Sequence, residues 1–326
     1  MCAMTKIRSR DAGRIQDRRG QRGGGGGGLP GGLGDILGGG IGGGRGRGLP
    51  IPGGAGGMGR MMKGGGGLMM LLVLGAMFVL PKLLGGGLST STSNVAPASP
   101  GAASATGGGE AACSSELEQI LCGATNDVSE YWIEQLPLSF GRDYVDTQTV
   151  FFSGFTNTGC GQASSQTGPF YCPLDNLVYF DLDFLVTLQN QFGATGDLAA
   201  QYIVAHEFGH HVQNVLGINA EMRRAQQDDP ARANQYSVAL ELQADCFAGA
   251  WARDAADRDL FDDPQEVQEA LDAAAAVGDD RIQQQTQGRV DPESWTHGSS
   301  AQRVEWFQRG FRTGDPQSCT TFSELL

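Results

Sequence analysis

The chain has 326 residues, 52 of them glycine, and a formal net charge of −13. That charge is split, +8 over residues 1–63 and −21 over the remainder, and 36 of the glycines precede residue 110. An acidic C-terminal part argues against nucleic acid as its partner, and a segment so rich in glycine cannot bury enough apolar surface to offset chain entropy.

Residues 1–67 accordingly read as a disordered, basic, Gly-rich tail. A contact with anionic lipid or nucleic acid is the alternative to a solvated tail that sets topology. Residues 68–88 read as a transmembrane helix. Leu68 to Leu80 is apolar throughout, and the 22 residues from Gly67 to Leu88 would span about 33 Å, enough for a bilayer core. Lys82 can snorkel, and Pro81 is tolerable near a helix end. A signal peptide would need a far shorter basic region ahead of it. Basic residues before the span and few behind it predict a single-pass protein of the cell membrane, with a cytoplasmic N-terminus and an extracytoplasmic C-terminal domain. The cysteines agree: Cys2 lies on one side, and Cys113, Cys122, Cys160, Cys172, Cys246 and Cys319 lie on the other. Six cysteines in an oxidising space can form three disulfides of open connectivity. Residues 89–112, rich in Ser, Thr, Ala, Pro and Gly, read as a flexible stalk, which leaves 113–326 as the folded domain.

Within that domain the pattern predicts a first helix over Ser114–Cys122 and a second over Asn126–Leu136, with Trp132 and Ile133 buried and Pro137 as the stop. Strands follow at Thr149–Phe152 and at Leu177–Asp181, separated by a Gly/Thr/Ser-rich loop that a Cys160–Cys172 bridge would staple. Leu177, Val178, Tyr179 and Phe180 are candidates for an edge strand that pairs with an extended substrate backbone; a plain core strand is the other reading. Residues 182–192 read as a helix. Beyond lie a long Ala-rich helix from about Ala231 to Asp257 and another from Asp263-Pro264 to Val277, closed by Gly278-Asp279-Asp280. A last helix runs from Ala301 to Arg309, capped by Ser299 or Ser300 and stopped by Gly310.

The chemistry concentrates in DLAAQYIVAHEFGHHVQNVLG, Asp197 to Gly217, which reads as one helix. His206 and His210 are four residues apart, so their imidazoles share a face and make half of a tetrahedral zinc site. Glu207 is turned about 100° from His206, where a carboxylate can take a proton from a metal-activated water. Gly209 permits close approach of another backbone or of a substrate. His211 faces away from the metal side and reads as packing or surface. Three of the four histidines fall within these six residues.

Two histidines leave zinc short of a protein ligand. In ELQAD, Glu241 and Asp245 share a face at i, i+4. Glu241 can complete a His₂Glu set with one position open, and Asp245 can accept the distal N–H of a ligand imidazole. A pair of surface acids is the plain alternative, and Cys246 is a rival ligand. His297, in WTHGSS, can donate to an oxyanion or can be structural. Arg303 can pair with an acid near the site.

These pieces together carry a resemblance. The QDRRG followed by polyglycine and an apolar segment, CG…GPFYCP, VYFDLDF, AHEFGHHVQNVLG, ELQADCFAGAWA, GDDRIQ, THGSSAQRVEWFQRGFRTGD and CTTF run in order from end to end. The chain resembles the bacterial putative neutral zinc metallopeptidase family. More distantly, HEFGH with the later ELQAD and the TH loop is similar to Ste24/HtpX-type peptidases and thermolysin-like gluzincins. The Ste24/HtpX-type relatives bury their site among several membrane helices, whereas one span is expected here. The resemblance implies Zn²⁺ held by His206, His210 and Glu241, with Glu207 as general base, Asp245 behind a ligand and His297 at the transition state. The expected fold is α+β, a mostly helical zincin-like metallopeptidase domain with a small antiparallel sheet. The expected function is membrane-anchored, zinc-dependent hydrolysis of peptide or protein substrates. A non-catalytic zinc-binding envelope module is the rival.

Overall fold

The structure, a computed structural model, describes residues 6–20, 111–165, 167–186, 196–261, 263 and 265–322. The apolar segment at 68–88 and nearly all of the expected stalk lie outside these residues. Among the described residues no helix is long and apolar enough to cross a membrane. Of the helix expected over 182–192, residues 182–186 are helical.

The folded domain opens with a short 3₁₀ turn, Ala111–Cys113, and a single long helix, α1, Glu116–Phe140. Ser115 and Glu118 form a reciprocal capping box, which satisfies two of the backbone donors that a helix start leaves orphaned. The two shorter helices expected here are one. Gly123, Ala124 and Thr125 are buried without a break, and Pro137 lies in the last turn. There the proline deprives only the Ile133 carbonyl of its donor. Ile133, expected in the core, is 44 % exposed, so water can satisfy that carbonyl.

Strands β1 (Ile15–Asp17), β2 (Gln148–Phe152), β3 (Phe155–Thr158), β4 (Gly161–Ser164), β5 (Phe170–Cys172) and β6 (Leu177–Asp181) make two sheets. The larger has the order β1-β2-β6-β5, and β3 pairs with β4 in a separate hairpin. The expected small antiparallel sheet is corrected in part: the separate β3–β4 pair is antiparallel, but in the main sheet β1 and β6 both run parallel to β2, and β5 alone is antiparallel, to β6. Parallel neighbours need long crossovers. The β2-to-β6 connection supplies one by way of the hairpin and β5. The substrate-edge role of Leu177, Val178, Tyr179 and Phe180 falls with it. β2 pairs along the whole of β6 and β5 pairs with Leu177–Tyr179 on its other side, so β6 is an inner strand and the edge of the sheet is β5. The tail expected over 1–67 is corrected in part, because residues 6–20 are ordered against the domain and β1 is a strand of its main sheet.

The further helices whose bounds the described residues give are α2 (Asp197–Val215), α3 (Ile218–Asp228), α4 (Ala233–Asp257), α5 (Gln265–Ala276), α6 (Asp279–Gln287) and α7 (Ser300–Thr313). Gly278 starts α6 as its N-cap rather than closing α5, and Gly310 lies inside α7. Helix α4 runs through the middle, packed on α2 and α7. One face of the sheet buries Phe151, Val178 and Phe180 with Trp132, Phe208, Phe247 and Trp251 of the helices. The other face buries Val150, Phe152 and Tyr179 with Ala163 of the hairpin. The disulfides are Cys113–Cys122, Cys160–Cys172 and Cys246–Cys319, and the last excludes Cys246 as a metal ligand.

Two glycines explain how α4 and α7 come together. A Cβ on Gly249 would sit 2.0 Å from the Phe307 carbonyl oxygen, and one on Gly310 would sit 1.9 Å from that of Cys246. The helices therefore meet backbone to backbone, and the local stop signal at Gly310 is overridden by packing. Gly310→Ala gains about 1 kcal/mol of helix propensity but must part the crossing, at about 1–3 kcal/mol or more. With the Cβ 1.9 Å from a backbone oxygen the cost falls at the upper end of that range, and urea denaturation is expected to show a net loss of about 2 kcal/mol, the difference between about 3 and about 1. An unchanged midpoint would mean that the crossing is not tight.

Candidate metal centre

Helix α2 presents His206 and His210 from one face, their ring centroids 4.8 Å apart and their planes nearly perpendicular. Helix α4 crosses this face closely because Gly209 has no side chain; a Cβ there would meet the Cα of Ala244 at 3.0 Å. That approach brings Glu241 to the histidines. Its Oε2 lies 3.2 Å from His206 Nε2, and its Oε1 lies 3.4 Å from His210 Nε2. The ligand atoms of the three residues all fall within 4.8 Å of one another. For Zn–N and Zn–O bonds of about 2.1 Å, two corners of a tetrahedral site are about 3.4 Å apart. Two imidazoles and a carboxylate at this spacing fit zinc, and three protein ligands leave one position open. The residues that the sequence placed on two separate helices converge on one point.

Asp245 lies one turn further along α4, fully buried. Its Oδ1 faces His206 Nδ1 at 2.8 Å and accepts from Tyr202 Oη at 2.5 Å. The guanidinium of Arg303, on α7, grips the same carboxylate through Nε at 2.8 Å and Nη2 at 2.9 Å. An Nδ1–H donated to Asp245 leaves His206 Nε2 unprotonated and turned toward Glu241, the tautomer a ligand needs. His210 is held differently. Its Nδ1 lies 2.9 Å from Gln213 Oε1, whose amide donates to the Leu240 carbonyl at 2.7 Å and to Gln243 Oε1 at 3.1 Å. Gln243 in turn donates to the Cys319 carbonyl at 2.9 Å.

Glu207 is buried beside the two histidines, and burial is the main reason its carboxyl titrates above the ordinary range. Burial also opposes ionisation of Glu241. His210 and His297 nearby, with hydrogen bonds from the ligand histidines, outweigh it and hold the acid well below its usual range. His297 sits in the loop before α7, where Asp279 organises it. The carboxylate accepts from the backbone N–H of Thr296, His297 and Gly298, and its Oδ1 lies 3.2 Å from His297 Nδ1. Burial lowers the His297 pKa, but Glu241 and Asp279 more than offset it and the net shift is upward.

His211 points the other way, its Nε2 2.6 Å from the Val145 carbonyl and its Nδ1 3.1 Å from Tyr171 Oη, so it ties α2 to β5. Tyr202, Gln213, Gln243 and Asp279 are supporting residues that the sequence reading passed over. Tyr202 and Gln213 stand four before His206 and three after His210, a spacing that marks them as facing the ligands.

Burial disfavours the charged form of His206, but Asp245 and Glu241 outweigh it and the pKa is pushed up to about 9. Relative to an unfolded value of about 6.5, this shift stabilises the metal-free protein fully below pH 6.5. The contribution is lost as pH rises through about 9. The upward shift of His297 has the same sign. The melting temperature of chelator-treated protein is therefore expected to fall between pH 6.5 and 9, while zinc-loaded protein, whose His206 holds metal in place of a proton, stays level. A level curve without metal would contradict the charged His206–Asp245 pair.

A buried histidine with a second histidine and a glutamate, both half-buried, meeting at zinc spacing with a carboxylate behind one ligand, defines the class of a zinc-metallopeptidase-type centre. The model of the family described as "Putative neutral zinc metallopeptidase" matches residues 4–322. The chain belongs to that family, and Zn²⁺ is the cofactor the family implies. It is 45 % identical over 212 residues to the "Uncharacterized protein YpfJ" of Escherichia coli (strain K12), covering 65 % of this chain and 72 % of that one. It is 50 % identical over 210 residues to the "Uncharacterized protein Rv2575" of Mycobacterium tuberculosis, covering 61 % and 68 %. No solved structure matches it.

Proposed function

We propose that the protein is a zinc-dependent endopeptidase acting on peptide or protein substrates. The observation that carries this reading is the convergence of His206, His210 and Glu241 at zinc spacing with Glu207, a buried carboxylate of raised pKa, next to the first histidine. A purely structural site would close its fourth position and would have no use for such an acid.

Zinc held by these three residues would supply Lewis acidity, lowering the pKa of a water and polarising the scissile carbonyl. Glu207 takes the proton of the attacking water and delivers it to the leaving amine; burial suits it to both halves of that transfer, because a raised pKa makes it a better base near neutrality. His297, with Nδ1 engaged by Asp279 and a raised pKa favouring the imidazolium, has Nε2–H to donate to the developing oxyanion. Tyr202 and Arg303 hold Asp245, and Asp245 holds His206.

The three disulfides support a domain that lies on an oxidising, extracytoplasmic side, and the apolar run at 68–88 supports attachment to a membrane. Full-length protein is expected to carry about one zinc per chain and to cleave a denatured protein substrate. A chelator should abolish cleavage and added zinc should restore it. Stoichiometric zinc with no cleavage of any peptide library, and a partner retained intact, would favour the envelope-module alternative.

A further inference from the structure

The basic N-terminal segment has no role in that chemistry. Lys6, Arg8, Arg10, Arg14, Arg18 and Arg19 lie within fourteen residues of one another, and most of this charge is matched by the domain itself. Arg8 binds Asp197, the first residue of α2, at 2.6 Å and Glu116 of α1 at 2.9 Å. Arg14 pairs with Asp146 at 3.1 Å, Lys6 with Asp259 at 3.3 Å, and Arg19 with Glu118. The Arg18 guanidinium lies over the Tyr179 ring. Exposed ion pairs are individually worth little. Here they are joined by contacts that are not electrostatic. Ile7 and Ile15 are buried in the main core. The backbone at Ile7 and Arg8 lies directly on α1 over Gly123, where a Cβ would come within 2.9 Å of it. Thr149 N–H donates to the Arg14 carbonyl and Arg18 N–H to that of Phe151, both at 2.8 Å. The segment covers what would otherwise be the open edge of β2.

We infer that residues 6–20 are an integral part of the catalytic domain, so that the N-terminus and the metal centre occupy the same side of any membrane. A single crossing between them would set β1 and β2 about 30 Å of hydrocarbon apart, whereas their backbones are hydrogen-bonded. The arrangement expected from the sequence, a cytoplasmic N-terminus with the domain outside, is incompatible with this sheet. The stretch between residues 20 and 111 begins and ends on one face. The inference rests on the fold alone and holds whether or not the protein is a peptidase.

The test uses the full chain with Cys2→Ser, carrying either Arg10→Cys or Asp228→Cys, both at exposed positions, in spheroplasts of the expressing cells. A membrane-impermeant maleimide is expected to treat the two alike: both labelled in intact spheroplasts, or both protected until lysis. In parallel, Gln16→Cys with Gln148→Cys, whose native side chains are hydrogen-bonded at 2.5 Å, should be joined by a short bismaleimide and give a linked peptide by mass spectrometry. Labelling of one position with protection of the other overturns the inference. So does equal labelling without the 16–148 link.

Discussion

Glu207→Gln is expected to bind zinc as tightly as the parent chain and to lose hydrolysis by about 10²–10⁴-fold in kcat, the range attributable to a general acid–base group. The residue is not among the three converging ligands, so removing its charge leaves the donor set intact. The amide keeps the shape of the acid, so the packing between α2 and its neighbours should survive. What disappears is an acceptor for the proton of the attacking water. The pair of measurements matters more than either one. Metal content by mass spectrometry should be unchanged, while kcat falls and KM stays close to its parent value. Unchanged kcat would remove the mechanism proposed here, and loss of zinc would place Glu207 among the ligands. Glu241→Gln should behave in the opposite manner, since a neutral amide is a poor zinc ligand: zinc is lost and activity disappears with it.

The second large effect belongs to Asp245→Asn. Asp245 is fully buried and receives His206, Tyr202 and two nitrogens of Arg303. An amide of the same size can accept only through its oxygen, so its NH₂ group must face one of these donors. The guanidinium of Arg303, itself almost wholly buried, then loses its full counter-charge. Breaking a buried pair in this way costs about 3–5 kcal/mol, and removing the partner of a ligand histidine costs about 10–100-fold in metal affinity. The two consequences separate experimentally. Stability is read from denaturation of chelator-treated protein, and affinity from competition with a zinc-sensitive dye on the folded variant. Arg303→Gln should reproduce much of the first loss, because it leaves Asp245 with Tyr202 and His206 alone. If Asp245→Asn kept both stability and affinity, the network would be ornamental.

The centre was legible in the sequence because it is built from two helices and helical spacing is local. His206 and His210, then Glu241 and Asp245, each announce a shared face at i, i+4, and the caps at Ser115 and Ser299 mark where two helices begin. The sheet was not legible in the same way. Nothing near Ile15 signals a partner at Thr149, since strand order depends on contacts between distant parts of the chain. The same limit made Leu177–Asp181 look like a possible edge: β5, just before it in sequence, covers one side, but β2, which covers the other, comes from a distant part of the chain. Gly310 and Pro137 mislead for a further reason. Each carries a local signal to stop, and packing at the α4–α7 crossing or exposure of one carbonyl removes the penalty for continuing. His297 lay between the cases. Its loop was evident, but the role of Asp279 in shaping it required the fold.

The hydrogen-bond chain behind His210 runs through Gln213 and Gln243 to the Cys319 carbonyl, and Cys319 is bonded to Cys246, the residue after Asp245. Both histidines are thus braced, by separate routes, from the neighbourhood of one covalent link. Cys319 emerges from the ribosome after every other residue of the site. A polypeptide ending before this point would carry HEFGH and keep Gln213 on the Leu240 carbonyl, but Gln243 would lose its anchor at Cys319, so the far end of the chain reaches the second imidazole only through that outer link.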